Sequence, residues 1–179
     1  MRMLADTLGT DAFRKGLQDY LHQYLYGNAT WPALIDILDE YTDADLRSWS
    51  RYWVDEKGMP EYPESDFLPN LSALGYGYYP MSGEAIATAL VSISSLERPY
   101  ERLSTLANLY ENMLHGRLKP EQMYSCLDSV LRNEKDPLVA SSALGYLGEI
   151  WRHCPDEVES LLHGLAKDRD IPAQVRLSA

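Results

Sequence analysis

The chain has 179 residues, 45% hydrophobic and 24% charged, a balance that provides for a buried core in one globular domain or two small ones and excludes a disordered polypeptide. Its net charge of −11 repels phosphate, so neither nucleic acid nor an anionic membrane is an expected partner. Cys126 and Cys154 form no disulfide framework and no Cys-x-x-Cys clip, and no run approaches the roughly 18 apolar residues that cross a bilayer.

The N-terminal segment Met1 to Leu8 is broken by Arg2, Asp6 and Thr7, so it is not read as a secretory leader, and a soluble chain of unassigned compartment is expected. Leu4 and Leu8 give it one helical face, stopped at Gly9. Thr10 reads as the N-cap of a second helix with Asp11 in its first turn, and Phe13, Leu17, Tyr20, Leu21 and Tyr24 follow as one buried stripe ending at Gly27. His22 lies off that stripe with no second ligand three or four residues away, which makes it a surface histidine. Thr30 caps a third helix with Pro32 in its first turn and Leu34, Ile35 and Leu38 on its apolar face. Asn28-Ala29-Thr30 matches the glycosylation acceptor pattern but is read as turn and cap chemistry. Thr42 with Asp45 resembles a capping box opening a fourth helix, whose Leu46, Trp49 and Trp53 point inward and which ends at Gly58.

These residues resemble a known family. Met3-Leu4, Gly9, Phe13-Arg14-Lys15-Gly16-Leu17, Tyr20-Leu21, Tyr26-Gly27-Asn28-Ala29-Thr30, Leu34, Leu38, Trp53 and Gly58-Met59-Pro60 are similar, in order and spacing, to the segment closing the thermolysin-like catalytic domain of M1-family zinc aminopeptidases. The resemblance implies a parent enzyme that removes N-terminal residues from peptide substrates. Its zinc would be held by an HExxH helix and a later glutamate, with a tyrosine stabilising the tetrahedral intermediate. That chemistry needs two histidines one helical turn apart and a glutamate beside the metal-bound water. His22, His115, His153 and His163 form no such pair, and the family's GxMEN motif is missing. No catalytic and no metal-binding residue is therefore assigned, the substrate-binding residues are left unassigned, and zinc is expected only in the parent enzyme. Some of Trp31, Trp49 and Trp53 are expected to be more exposed, or paired elsewhere, than their apolar spacing suggests.

Between Gly58 and Pro80 the prolines and glycines cannot sustain a helix, so an irregular joint with room for a short strand is expected. Many enzymes of the family place a small β-sandwich here, before a Leu-Pro-Asn and a Gly-Tyr-Gly landmark. In this chain Leu68-Pro69-Asn70 and Gly75-Tyr76-Gly77 are separated by a few residues, so the sandwich is expected to be missing. Tyr76, Tyr78 and Tyr79 are read as packing residues of the joint rather than as a carbohydrate or peptide platform.

From Ser82 onward the pattern is helical. Ile86, Leu90 and Ile93 lead to Leu103, Leu106, Tyr110, Met113 and Leu114. Then come Met123, Tyr124, Leu127, Val130 and Leu131, followed by Leu144, Leu147, Ile150 and Trp151, and finally Val158, Leu161, Leu162 and Leu165. Leu127, Leu131 and Asp136 recur as Leu161, Leu165 and Asp170, each copy with a proline beyond its Asp, a period of 34 residues read from the sequence. Helix pairs at that period suggest an α-solenoid.

The expected fold is all-α: a short helical bundle followed by HEAT/armadillo-like α-solenoid helix pairs. The expected division is 1–60 as the helical end of a catalytic domain, 61–81 as the joint and 82–179 as an incomplete solenoid. By resemblance, this last part matches the domain that closes over the catalytic cleft. Ile171 to Ala179 reads as the start of a further helix, so an uncapped end and self-association through it are expected. The competing reading is a stand-alone helical-repeat scaffold that binds a peptide or protein. Acid–base chemistry from Asp36 with Glu40, or Glu56 with Glu61, is outweighed by a solvated helix face.

Overall fold

A computed structural model of the chain describes residues 1–168 and Arg176. It is all-helical, and among the described residues no regular strand forms and no helix is long and apolar enough to cross a membrane. The backbone clusters into two units: Met1–Pro60 with Leu74–Tyr76, and Glu61–Ala73 with Gly77–Ala179. The last solenoid segment and the repeat members Asp170 and Pro172 lie outside the described residues, Arg176 apart.

The first unit contains α1 (Arg2–Leu8), α2 (Thr10–Gln23), α3 (Trp31–Asp39) and α4 (Leu46–Ser50), which runs on into a π-helical turn at Arg51–Asp55. Leu4, Leu34, Ile35, Leu38 and Leu46 form its core, and Phe13, Leu17, Tyr20, Trp31 and Trp49 pack half-buried around them. Gly16 is the buried residue of α2 because α3 crosses there: a Cβ would stand 2.5 Å from Leu38 Cδ2 and 3.3 Å from Tyr41 Cδ2. Glycine's loss in helix propensity, about 1 kcal/mol, is offset by that close approach.

Several local expectations are corrected here. Thr10 is the first residue of α2 rather than its cap, since Gly9, at φ 78°, makes the turn that a side chain would resist. α2 ends at Gln23, before Gly27, through a turn in which Tyr26 takes φ 62°. Leu21 is 65% exposed, because the stripe is wider than the face that α3 covers. Thr30 does cap α3, accepting from the Ala33 amide. For α4 the cap is Asp45, which accepts from the Ser48 amide at 2.9 Å, while Thr42 Oγ1 accepts from the Ala44 amide in the preceding turn. Asp39 Oδ1 accepts from the Leu46 amide at 2.9 Å, so two carboxylates serve the donors that α4 leaves unmatched. Helical structure stops at Asp55 rather than Gly58.

The second unit contains α5 (Gly83–Ser92), extended by a 3-10 turn at Ile93–Ser95, then α6 (Pro99–Leu114), α7 (Pro120–Asn133), α8 (Pro137–Ile150) and α9 (Pro155–Lys167). The last four all begin with proline, whose absent N–H and fixed φ suit the first helical position. Ser82 and Asp136 cap α5 and α8 with side-chain oxygens. Packing is in two rows: α5, α7 and α9 are neighbours in one, α6 and α8 in the other, and α7 lies against α8 along its length. Leu106, Leu109, Met123, Leu127, Leu131, Leu147, Ile150 and Leu165 are fully buried between them. Leu114 and Trp151, expected on the buried stripe, are 57% and 47% exposed because each sits at a helix end where the backbone turns away.

Residues 61–81 are irregular, tied to one another by isolated parallel bridges, Glu61 with Tyr78 and Ser65 with Met81.

Candidate functional site

The most constructed polar arrangement lies along α6. Ser104, Asn108 and Asn112 recur every four residues, which places them on one face one turn apart, and they are 6%, 6% and 0% exposed. Their partners are backbone groups of the irregular stretch. Ser104 Oγ donates to the Asn70 carbonyl at 2.6 Å and Asn108 Nδ2 to the Pro69 carbonyl at 2.9 Å. Asn112 Nδ2 donates to the Tyr79 carbonyl at 2.9 Å, while its Oδ1 accepts from the Met81 amide at 3.0 Å. Loop backbone that no strand satisfies is therefore paired by side chains, as buried amide groups require. The ladder had a visible signal, three hydrogen-bonding residues at four-residue spacing, but its partners are remote in sequence.

Aromatic stacking fixes the same stretch. The Tyr62 and Tyr79 rings stack at 4.2 Å and 10°, and Tyr78 lies on His115 at 3.7 Å and 11°. Burial raises the phenol of Tyr78 above its usual range. Tyr78 is buried and Tyr79 half-buried, as packing residues should be, whereas Tyr76 is 62% exposed and packs little. Arg117 pairs with Glu64 and donates to the Met81 carbonyl at 3.4 Å.

A buried ion pair joins α6 to the turn after α7. Arg102 meets Glu134 through Nε at 2.7 Å and Nη2 at 3.0 Å, and its Nη1 donates to the Leu96 and Glu97 carbonyls at 2.7 and 3.2 Å. Glu134 Oε1 also accepts from the Lys135 and Asp136 amides at 2.9 and 2.8 Å. Burial pushes the Glu134 carboxyl up, but the guanidinium and the two amides outweigh it and hold the group below the usual carboxylate range. Every charge here has a partner, so the pair is structural.

In the first unit a hollow of about 430 Å³ is lined by Trp31, Ile35, Asp36, Arg47, Val54 and Asp55. Trp31 Nε1 donates to Ser50 Oγ at 2.8 Å, and Arg47 Nε meets Asp36 Oδ1 at 2.7 Å. Trp49 and Trp53 stand 6.3 Å apart, so the half-buried tryptophans find partners within this unit. Asp36 is committed to the Arg47 guanidinium.

His22, His115, His153 and His163 are all exposed and lie on α2, after α6, after α8 and on α9. Among the described residues no three His, Cys, Asp or Glu side chains converge as a metal site would require. Cys126 and Cys154 are free and buried, and burial alone pushes the Cys126 thiol to about 11, away from a reactive thiolate.

Comparison with known proteins bears on a third of the chain. A stretch of 59 residues, 33% of this chain, is 32% identical to Aminopeptidase N of Streptomyces lividans. Sixty residues, 34% of the chain, are 37% identical to the mitochondrial Aminopeptidase 2 of Saccharomyces cerevisiae, and 58 residues, 32% of the chain, are 40% identical to Aminopeptidase N of Lactobacillus helveticus. This chain carries an aminopeptidase-related region. The matched stretch spans only 7%, 6% and 7% of those three relatives. No family model and no solved structure matches. The aminopeptidase-related region therefore accounts for about a third of the chain.

Proposed function

We propose that this chain is a carboxy-terminal portion of an M1-family zinc aminopeptidase, serving as a structural and substrate-enclosing part rather than as the catalytic centre. The observation that carries the reading is the identity of 32–40% over about sixty residues with three aminopeptidases. The neighbouring helices of the second unit support it, read as HEAT- or armadillo-like pairs that enclose substrate in the parent enzyme. In this reading the first unit ends a catalytic domain, residues 61–81 take the place of a β-sandwich, and the second unit belongs to an α-solenoid. Zinc and peptide substrates belong to the parent enzyme. Among the described residues no three ligating side chains converge, so they do not fit a zinc ion.

Two experiments test this. The coding sequence upstream of Met1 is expected to encode HExxH and a later glutamate. A closed reading frame without them would favour a stand-alone scaffold that binds a peptide or protein. The purified chain is expected to release no amino acid from aminoacyl-nitroanilides in the presence of zinc. Turnover abolished by a chelator would overturn the assignment of catalysis to other segments.

A further inference from the structure

The π-helical turn that follows α4 shapes one wall of the hollow beside Trp31. The Glu56 amide donates to the Arg51 carbonyl at 3.0 Å, the i to i+5 closure that sets residues five apart one above the other. Ser50 and Asp55 thereby share a face, whereas an unbroken α-helix would hold them about 140° apart. Both line the hollow of about 430 Å³, as do Val54 and, from α3, Trp31, Pro32 and Ile35. That volume lies within the roughly 300–1,000 Å³ of small-molecule sites, and π turns are frequent at functional sites.

The lining dictates what fits. Trp31 has spent its one polar atom on Ser50, so with Pro32, Ile35 and Val54 it supplies an apolar wall. Ser50 is 7% exposed, and its Oγ, having accepted from Trp31, keeps a second lone pair. The Arg47 guanidinium is shared between Asp36 at 2.7 Å and Asp39 at 3.8 Å. The Asp55 carboxylate forms no ion pair and no hydrogen bond among the described residues. Two carboxylates and one guanidinium line the hollow, so one negative charge is unanswered, and it sits on Asp55 one π turn beyond the Ser50 hydroxyl. This charge disfavours an anion, and the apolar wall disfavours a hydrated inorganic cation. We infer that the hollow binds a small organic amine, its protonated nitrogen on Asp55 with Ser50 Oγ as a further acceptor, and its apolar body against Trp31, Ile35 and Val54. The inference is independent of the aminopeptidase reading, because it needs no metal, no catalytic group and no other segment of a parent enzyme.

The test titrates the full, isotope-labelled chain with 2-phenylethylamine, with its neutral isostere 2-phenylethanol and with the anion 3-phenylpropionate, followed by amide and indole shifts. The amine should bind with a Kd of about 1 mM or below, shift the amides of residues 31–36 and 50–55, and move the Trp31 Nε1 proton, which reports the bond to Ser50. The alcohol should bind at least fivefold more weakly and the anion not at all. Asp55→Asn, at an exposed position without a partner among the described residues, should bring the amine down to the affinity of the alcohol and leave the alcohol unchanged. Val54→Ser, also at an exposed position, should weaken both at least twofold, which separates the apolar wall from the charge. Absence of amine binding overturns the inference. So do equal binding of amine and alcohol, full amine affinity in Asp55→Asn, or shifts confined to residues outside the hollow.

Discussion

The two units solve the burial problem differently. The first closes on five buried apolar residues, Leu4, Leu34, Ile35, Leu38 and Leu46, and leaves its aromatics half-exposed and Leu21, Leu25 and Tyr26 uncovered. The second buries a continuous core through two helical rows and adds side-chain hydrogen bonds that hold irregular backbone. A small core gives little margin against conformational entropy, whereas buried polar contacts make the second unit sensitive to single atoms.

The largest effect should come from the ion pair. Glu134→Ala leaves Arg102 buried without its partner and is expected to cost about 3–5 kcal/mol, measured by urea unfolding followed in far-UV ellipticity. A loss below about 1 kcal/mol would mean that the pair is solvated and that the second unit owes its stability to apolar packing alone. Next, Asn112→Ala strands the Met81 amide and the Tyr79 carbonyl and should cost about 3 kcal/mol, with faster hydrogen exchange at Met81. Unchanged exchange there would show that residues 61–81 hold themselves.

Acid should separate the contributions further. Because the Glu134 carboxyl is held low in the folded state, its contribution is complete above the unfolded value of about 4.3 and is lost as pH falls through the lower folded value. Glu134→Gln should flatten the acid limb of stability in that window, and an unaltered limb would assign it to other carboxylates. The smallest effect belongs to the first unit: Asp45→Ala removes the α4 cap and should cost about 1 kcal/mol, read by tryptophan emission from Trp31, Trp49 and Trp53.

What was legible in the sequence follows from range. Thr30 as a cap is a local fact, decided within one turn of helix, and periodicity locates the faces of Leu127, Leu131, Leu147 and Ile150. Periodicity gives the direction of a face, not the extent of its cover, which is why Leu21, Leu114 and Trp151 look buried and are exposed. Thr42 and Asp45 offer two cap acceptors three residues apart, and the path of the loop decides for Asp45. The α6 ladder was not recognised because a buried asparagine declares itself only through partners such as Tyr79 and Met81, more than thirty residues earlier. The candidate site was least legible: the histidine spacing argued against a zinc pair, but no pattern indicated the hollow lined by Trp31, Asp36 and Arg47.

The most direct measurement captures the native polypeptide from cell extract with an antibody raised against residues 82–168, then determines its mass and its release of amino acids from aminoacyl-nitroanilides. The account predicts a polypeptide several times larger than the 20.4 kDa of this chain, containing HExxH and losing activity to a chelator. A species of that lower mass alone, without such activity, would contradict it.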